Sequence, residues 1–106
     1  MKASYFKIGE CVFVRWDDSC CYSGWKGEDQ LAELDFTRCA SIGWVIRKTD
    51  RIVTLTPNVG VDDGVSFHHS NGHILIPLSA ITEVRKLPVP IGHGNAKQLN
   101  DRLGSP

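Results

Sequence analysis

The sequence has no surplus charge of either sign: twelve Lys and Arg balance twelve Asp and Glu, so the formal net charge is zero over 106 residues. Affinity built on many phosphate contacts needs clustered Lys and Arg, so this balance argues against nucleic acid as the main partner. No apolar run approaches the roughly 20 residues of a membrane span. The first ten residues, Met1 to Glu10, contain no apolar core of the kind a secretory signal needs, so a cytoplasmic protein is expected. Catalytic and metal signatures are also missing. There is no C-x-x-C, no H-E-x-x-H and no glycine-rich loop ending in Lys-Ser or Lys-Thr. Gly60, Gly64 and Gly72 are scattered, and no internal repeat occurs. The length allows one domain with a modest core.

The four cysteines are Cys11, Cys20, Cys21 and Cys39. In a cytoplasmic protein they are expected as thiols that pack like small hydrophobes. Cys20 and Cys21 are adjacent, so a bridge between them would be strained.

The strongest pattern present is Cys39 to Pro57. Two apolar runs, Ser41 to Ile46 and Arg51 to Thr56, flank the polar segment Arg47-Lys48-Thr49-Asp50. Both are rich in β-branched and aromatic residues, which predicts a β-hairpin. Alternation puts Ile42, Trp44 and Ile46 on one face and Ser41, Gly43, Val45 and Arg47 on the other. The first set is expected inside, with Trp44 as core. Gly43 in mid-strand marks a bend, a bulge or a close approach by another backbone.

Around this hairpin the chain reads in order. Tyr5, Phe6 and Ile8 are expected to pack on the domain, and Gly9 to turn the chain into a strand over Cys11 to Trp16. Asp17 to Thr37 is a long connection. Such loops are uncommon in small domains and often functional. Within it, Glu28 to Leu34 reads as a short helix, with Glu28 and Asp29 at its positive end. Asn58 to Gly72 reads as turns with a small strand extension around Val65 to Phe67. His73 to Ile76 is a strand ended by Pro77, Pro77 to Ala80 a single helical turn, and Ile81 to Leu87 the last strand. The predicted fold is mainly β: an SH3-like five-stranded small barrel over residues 1–87, with one short helix in the first long loop and a single helical turn before the last strand. An open sandwich of the same strand order is the alternative. Residues 88–106 are expected to form an extended or disordered tail, in which Ala96, Leu99 and Leu103 offer a weak amphipathic turn.

Several residue sets could carry chemistry. Cys20, Cys21, His68, His69 and His73 are of zinc-ligand type, but their spacing fits no zinc motif, so no metal is predicted. Cys20 or Cys21 with His68 or His69 matches a nucleophile and base in type only. The pairs Asp17-Asp18 and Asp62-Asp63 point in different directions and read as solvated loop charge. No catalytic residue and no cofactor are predicted. Trp25, between Gly24 and Lys26, either caps the domain end or stands out to stack on a ligand. The predicted binding residues are Trp16, Asp17, Asp18, Trp25, Arg38, Ser41, Arg47 and Asn58, with Arg15, Arg38 and Arg47 available for bidentate anion contacts. This set places a site at the edges of the hairpin, where the two long loops meet.

Five segments together form a wider pattern: Trp16-Asp17-Asp18, Gly24-Trp25, Cys39 to Ile46, Ile52 to Asn58 and Ile76 to Thr82. The pattern resembles short, mostly uncharacterised phage and prophage proteins, and the likeness covers about Val12 to Val84. The resemblance implies a viral origin and a small β-barrel. Phage proteins of this size without catalytic motifs often act by binding. Some capture nucleotide-derived immune signals as oligomers; others block a host protein. The expected function is therefore non-catalytic capture of a small ligand, plausibly a nucleotide signal, by a homo-oligomer associating through Phe13, Val45 and Ile52. The alternative is a module that binds and inhibits a host protein.

Overall fold

A computed structural model describes residues 1–61 and 69–89. The predicted extension at Val65 to Phe67, His68 and the tail beyond Val89 lie outside the described residues. Five strands form one antiparallel sheet: β1 (Cys11–Asp18), β2 (Thr37–Lys48), β3 (Ile52–Thr56), and two edge strands. In chain order these edges are β6 (Ile74–Pro77) and β7 (Ile81–Leu87), after the short strands β4 (Asn58–Gly60) and β5 (His69–Asn71). The sheet order is β6-β3-β2-β1-β7, and β4 and β5 pair separately as a two-stranded ribbon. The segment Asn58 to Gly72 is therefore partly regular, and not turns alone. The first of its two three-residue strands begins directly after a bend at Pro57, and both are pinned by the Thr56 hydroxyl, which donates to Asn58 O (3.0 Å) or Asn71 O (3.1 Å).

The predicted closed barrel does not form, because β6 and β7 do not pair. β6 stops at Pro77, which has no N–H for a further ladder bond. A 3₁₀ turn, Leu78–Ala80, then bridges the two edges. Leu78 plugs the gap with its buried side chain, and its N–H donates to Arg51 O (2.9 Å).

The core contains Phe6, Val12, Val14, Val45, Val53, Leu55, Ile76, Leu78 and Ile81. Phe6 arrives on a short 3₁₀ turn (Ala3–Tyr5), and Gly9, at φ 90°, swings the chain into β1. Tyr5, expected to pack, is exposed. The helix in the long loop is confined to Glu28–Leu31 (α1), with the Gly27 N–H donating to Gln30 Oε1 at 3.0 Å.

The face assignment of β2 is reversed from the sequence reading. Val12 pairs with Gly43 and Val14 with Ser41, so the inward valines of β1 place odd-numbered β2 residues inside. Gly43 and Val45 are buried, Ile42 is 60 % exposed, and Trp44 is half-buried, with its indole N–H donating to Val89 O (2.8 Å). The register then shifts between Val45 and Arg47, leaving Ile46 as an extra residue. This bulge lets consecutive residues Val45 and Ile46 both be buried. Gly43 marks a close approach: a Cβ there would lie 2.8 Å from Thr56 O. Because Val45 is core, it cannot serve as an exposed association surface.

Candidate functional site

β1 and β2 pair without interruption from Cys11–Trp44 to Asp18–Thr37, forming a long ribbon whose far end carries Trp16, Asp17, Asp18 and Arg38. On its other side, the β1–β7 register slips between Arg15 and Trp16, because β7 carries one extra residue there, Thr82. Bulges of this kind re-aim side chains at sheet ends. The Thr82 hydroxyl donates to Arg15 O (3.3 Å), which holds the bulge. Trp16 packs against the core with part of its ring and donates its indole N–H to Ser41 Oγ (3.0 Å).

Two shallow depressions flank this strand end and share Trp16, Asp17 and Thr82. One, of about 340 Å³, is bounded by Arg15, Arg38, Cys39 and Ala40. The other, of about 410 Å³, lies between the long loop (Asp18, Ser19, Phe36) and the 3₁₀ turn (Pro77, Ser79, Ala80). Together they make one open cleft running over the strand end. Its walls are Trp16 and the exposed Phe36, and its polar groups are the hydroxyls of Ser19, Ser79 and Thr82. The long loop is closed on itself by Tyr22, whose hydroxyl donates to Asp35 O (2.9 Å).

The charges of the cleft are unequal. Arg15 is taken up by Glu83 (2.9 Å) and Arg38 by Asp35 (3.0 Å). Among the described residues, no cation comes within ion-pair distance of Asp17 or Asp18. Among the described residues, Asp17 and Asp18 thus stand without an ion-pair partner on alternate faces of the strand end, whereas both guanidiniums are engaged. Burial, with Asp18, the Cys20 thiol and Asp17 nearby, pushes the Cys39 thiol up. That environment disfavours a nucleophilic thiolate.

Of the predicted site residues, the structure brings together Trp16, Asp17, Asp18 and Arg38, with Ser41 behind Trp16 as its hydrogen-bond partner. It does not bring in the others. Trp25 is fully exposed, so it stands out and does not cap the domain, and it lines neither depression. Arg47 lies past the bulge, eight residues along β2 from Cys39, which is roughly 26 Å at strand spacing. Asn58 opens β4, where its amide donates to Asn71 O (3.2 Å) and braces the small ribbon. The Asn58–Gly72 segment contributes nothing to the cleft among the described residues.

Sequence reasoning missed Phe36, Ser79 and Thr82. Phe36 carried a usable signal, a lone aromatic between a short helix and a strand. Ser79 and Thr82 carried none, because their value depends on the β7 bulge and on the gap between the sheet edges. The metal candidates do not converge: among the described residues, no three of His, Cys, Asp and Glu could hold an ion. Cys20 Sγ instead contacts the Thr37 hydroxyl, and His73 Nε2 lies 2.8 Å from Ser70 Oγ. Among the described residues, no carboxylate orients that imidazole and no histidine lines the cleft. No helix is long and apolar enough to cross a membrane among the described residues. Searches against protein-family models, curated proteins and solved structures give no match to this chain.

Proposed function

We propose that this chain is a non-catalytic binding module of SH3-like type that docks an extended, basic segment of a partner protein along Trp16-Asp17-Asp18. The strand order β7-β1-β2-β3-β6, with one helical turn between β6 and β7, supports the SH3-like reading. The observation that carries the function is the pairing of aromatic walls, Trp16 and Phe36, with Asp17 and Asp18, which have no ion-pair partner among the described residues. An open cleft suits a chain segment crossing it, whereas small-molecule sites bury most of their ligand. Carboxylates that no described cation engages favour Lys or Arg on that segment. The resemblance to phage proteins makes a bacterial host protein the proposed partner class, with inhibition by occupancy as the outcome.

Panning a random peptide library against the protein tests this. Selected peptides should be enriched in Lys and Arg and bind more weakly as salt rises. Phe36→Ala and the double change Asp17→Asn, Asp18→Asn should each weaken binding about tenfold or more, which is 1.4 kcal/mol. Selection of acidic peptides, or binding indifferent to both variants, would exclude this reading.

Capture of a nucleotide is the second reading. It is supported by the stacking surfaces of Trp16 and Phe36 beside Arg15 and Arg38, and it requires Arg38 to exchange Asp35 for a phosphate. Calorimetric titration with cyclic and linear nucleotides decides it; no heat with any of them removes it.

A further inference from the structure

Among the described residues, three edges of the sheet lack a partner strand, and they are not protected alike. β6 is four residues long and ends in Pro77. β7 carries Glu83, Arg85 and Lys86. Short strands, proline and charge are the usual guards against strand addition. The third edge is the first half of β2, and it has little of this protection.

Its hydrogen-bonding groups can be placed. Val45 bonds on the β1 side with both groups, its N–H to Glu10 O and its C=O from the Gly9 N–H (both 2.8 Å). Successive residues of an antiparallel strand face opposite neighbours. The β1–β2 register is unbroken, so Gly43, Ser41 and Cys39 also face β1. Arg38, Ala40 and Ile42 therefore turn their N–H and C=O groups to the other side. On that side β3 ends at Thr56, opposite Trp44, and after Pro57 the chain leaves to pair β4 with β5. Among the described residues, no backbone partner meets those three residues on that side.

This edge is complementary to itself. We propose that a second copy of the chain adds antiparallel to it, about a two-fold axis through Ala40. Ala40 then pairs with the partner subunit's Ala40, and Arg38 with the partner subunit's Ile42. All six backbone groups are satisfied in one register, and two five-stranded sheets become one continuous sheet. The side chains support the close approach. Ala40 at the axis is only a methyl group. Ile42 is 60 % exposed and adjoins Phe13 across β1, so the pairing covers a bare apolar strip under the Arg38 stem. An isologous contact of this kind closes at two copies. The edge shares Arg38 and Ala40 with the smaller depression, but the test below uses no peptide, so its outcome is independent of the peptide-binding reading.

Sedimentation equilibrium of the purified protein, with thermal unfolding as a check on folding, tests the proposal. The wild type should reach twice the monomer mass as concentration rises. Ala40→Pro removes the N–H at the axis but no bond to β1, so it should be monomeric with a two-state melt intact. Ile42→Lys, which sets like charge against the partner subunit's Arg38, should weaken the dimer at least tenfold without any proline. A wild type that stays monomeric up to roughly 1 mM, the weak end of specific association, overturns the proposal. So does a dimer of undiminished strength in the folded Ile42→Lys variant.

Discussion

Gly43→Ala is a single-methyl test of the register. In a strand, this change usually stabilises slightly, by about 0.4–1 kcal/mol, because alanine has less freedom to lose on folding. Here the added Cβ would lie 2.8 Å from Thr56 O, 3.1 Å from its carbonyl carbon and 3.2 Å from its nitrogen. All three atoms are backbone, so no side chain can swing aside. Thr56 is itself fully buried, and its hydroxyl is held by the carbonyls of Asn58 and Asn71. Relief requires β3 to part from β2 at the residue where the small ribbon begins. Overpacking of this kind costs about 1–3 kcal/mol, which exceeds the entropic gain. We expect a net loss of about 1 kcal/mol and, for a domain of this size, a Tm lower by about 5 °C. Thermal unfolding followed by circular dichroism reads this directly. A Tm equal to or above that of the wild type would mean that β2 and β3 are not in this register.

Three further outcomes are expected. Thr54 is buried, and its hydroxyl has no partner among the described residues, so Thr54→Val should raise stability by about 1 kcal/mol in urea titration; a loss would reveal an unseen hydrogen bond. The hydrogen bond from Arg85, joined by that from Arg15, lowers the Glu83 pKa against the opposing effect of burial. The unfolded chain thus takes up the proton first as pH falls. The resulting stability is present above about pH 4.3, the usual Glu value, and fades as pH drops through the lower folded-state pKa. The Tm of Glu83→Gln should accordingly fall less than that of the wild type between pH 6 and pH 3, and parallel curves would count against the pairing. Native alkylation with iodoacetamide should modify exposed Cys21 first and Cys11 last, because burial both shields the Cys11 thiol and pushes its pKa up; equal rates would contradict the packing of β1.

The five strands of the main sheet were legible from β-rich runs and from residues such as Gly9 before β1 and Pro77 before the 3₁₀ turn, whereas β4 and β5 were not, because Asn and Gly there read as turns. The face of β2 was not. Taken alone, Ile42, Trp44 and Ile46 look more hydrophobic than Gly43 and Val45. The choice is made by the neighbours, Val12, Val14 and Leu55, whose register leaves only the smaller residues room inside. The bulge at Ile46 then changes the parity, which no period-two pattern can announce. Half of the predicted site came together because Trp16, Asp17, Asp18 and Arg38 share one ribbon end. Arg47 and Asn58 were assigned to the same region through their closeness to the hairpin, but the twelve-residue length of β2 carries its two ends far apart. Pro77 marked the end of β6, but that β6 and β7 stay unpaired, so that Ser79 and Thr82 border the cleft, depends on the placement of the two sheet edges and has no signature of its own.

The claim that matters most is that the Trp16-Asp17-Asp18 cleft is the binding surface. Backbone amide shifts of the labelled protein, recorded while a selected Lys- and Arg-rich peptide is titrated in, test it most directly. The largest shifts should fall at residues 16–19, 36–40 and 77–82, with the Arg47 amide and the Trp25 indole unmoved. Shifts centred on Trp25, Arg47 or Asn58, with the cleft silent, would contradict the account.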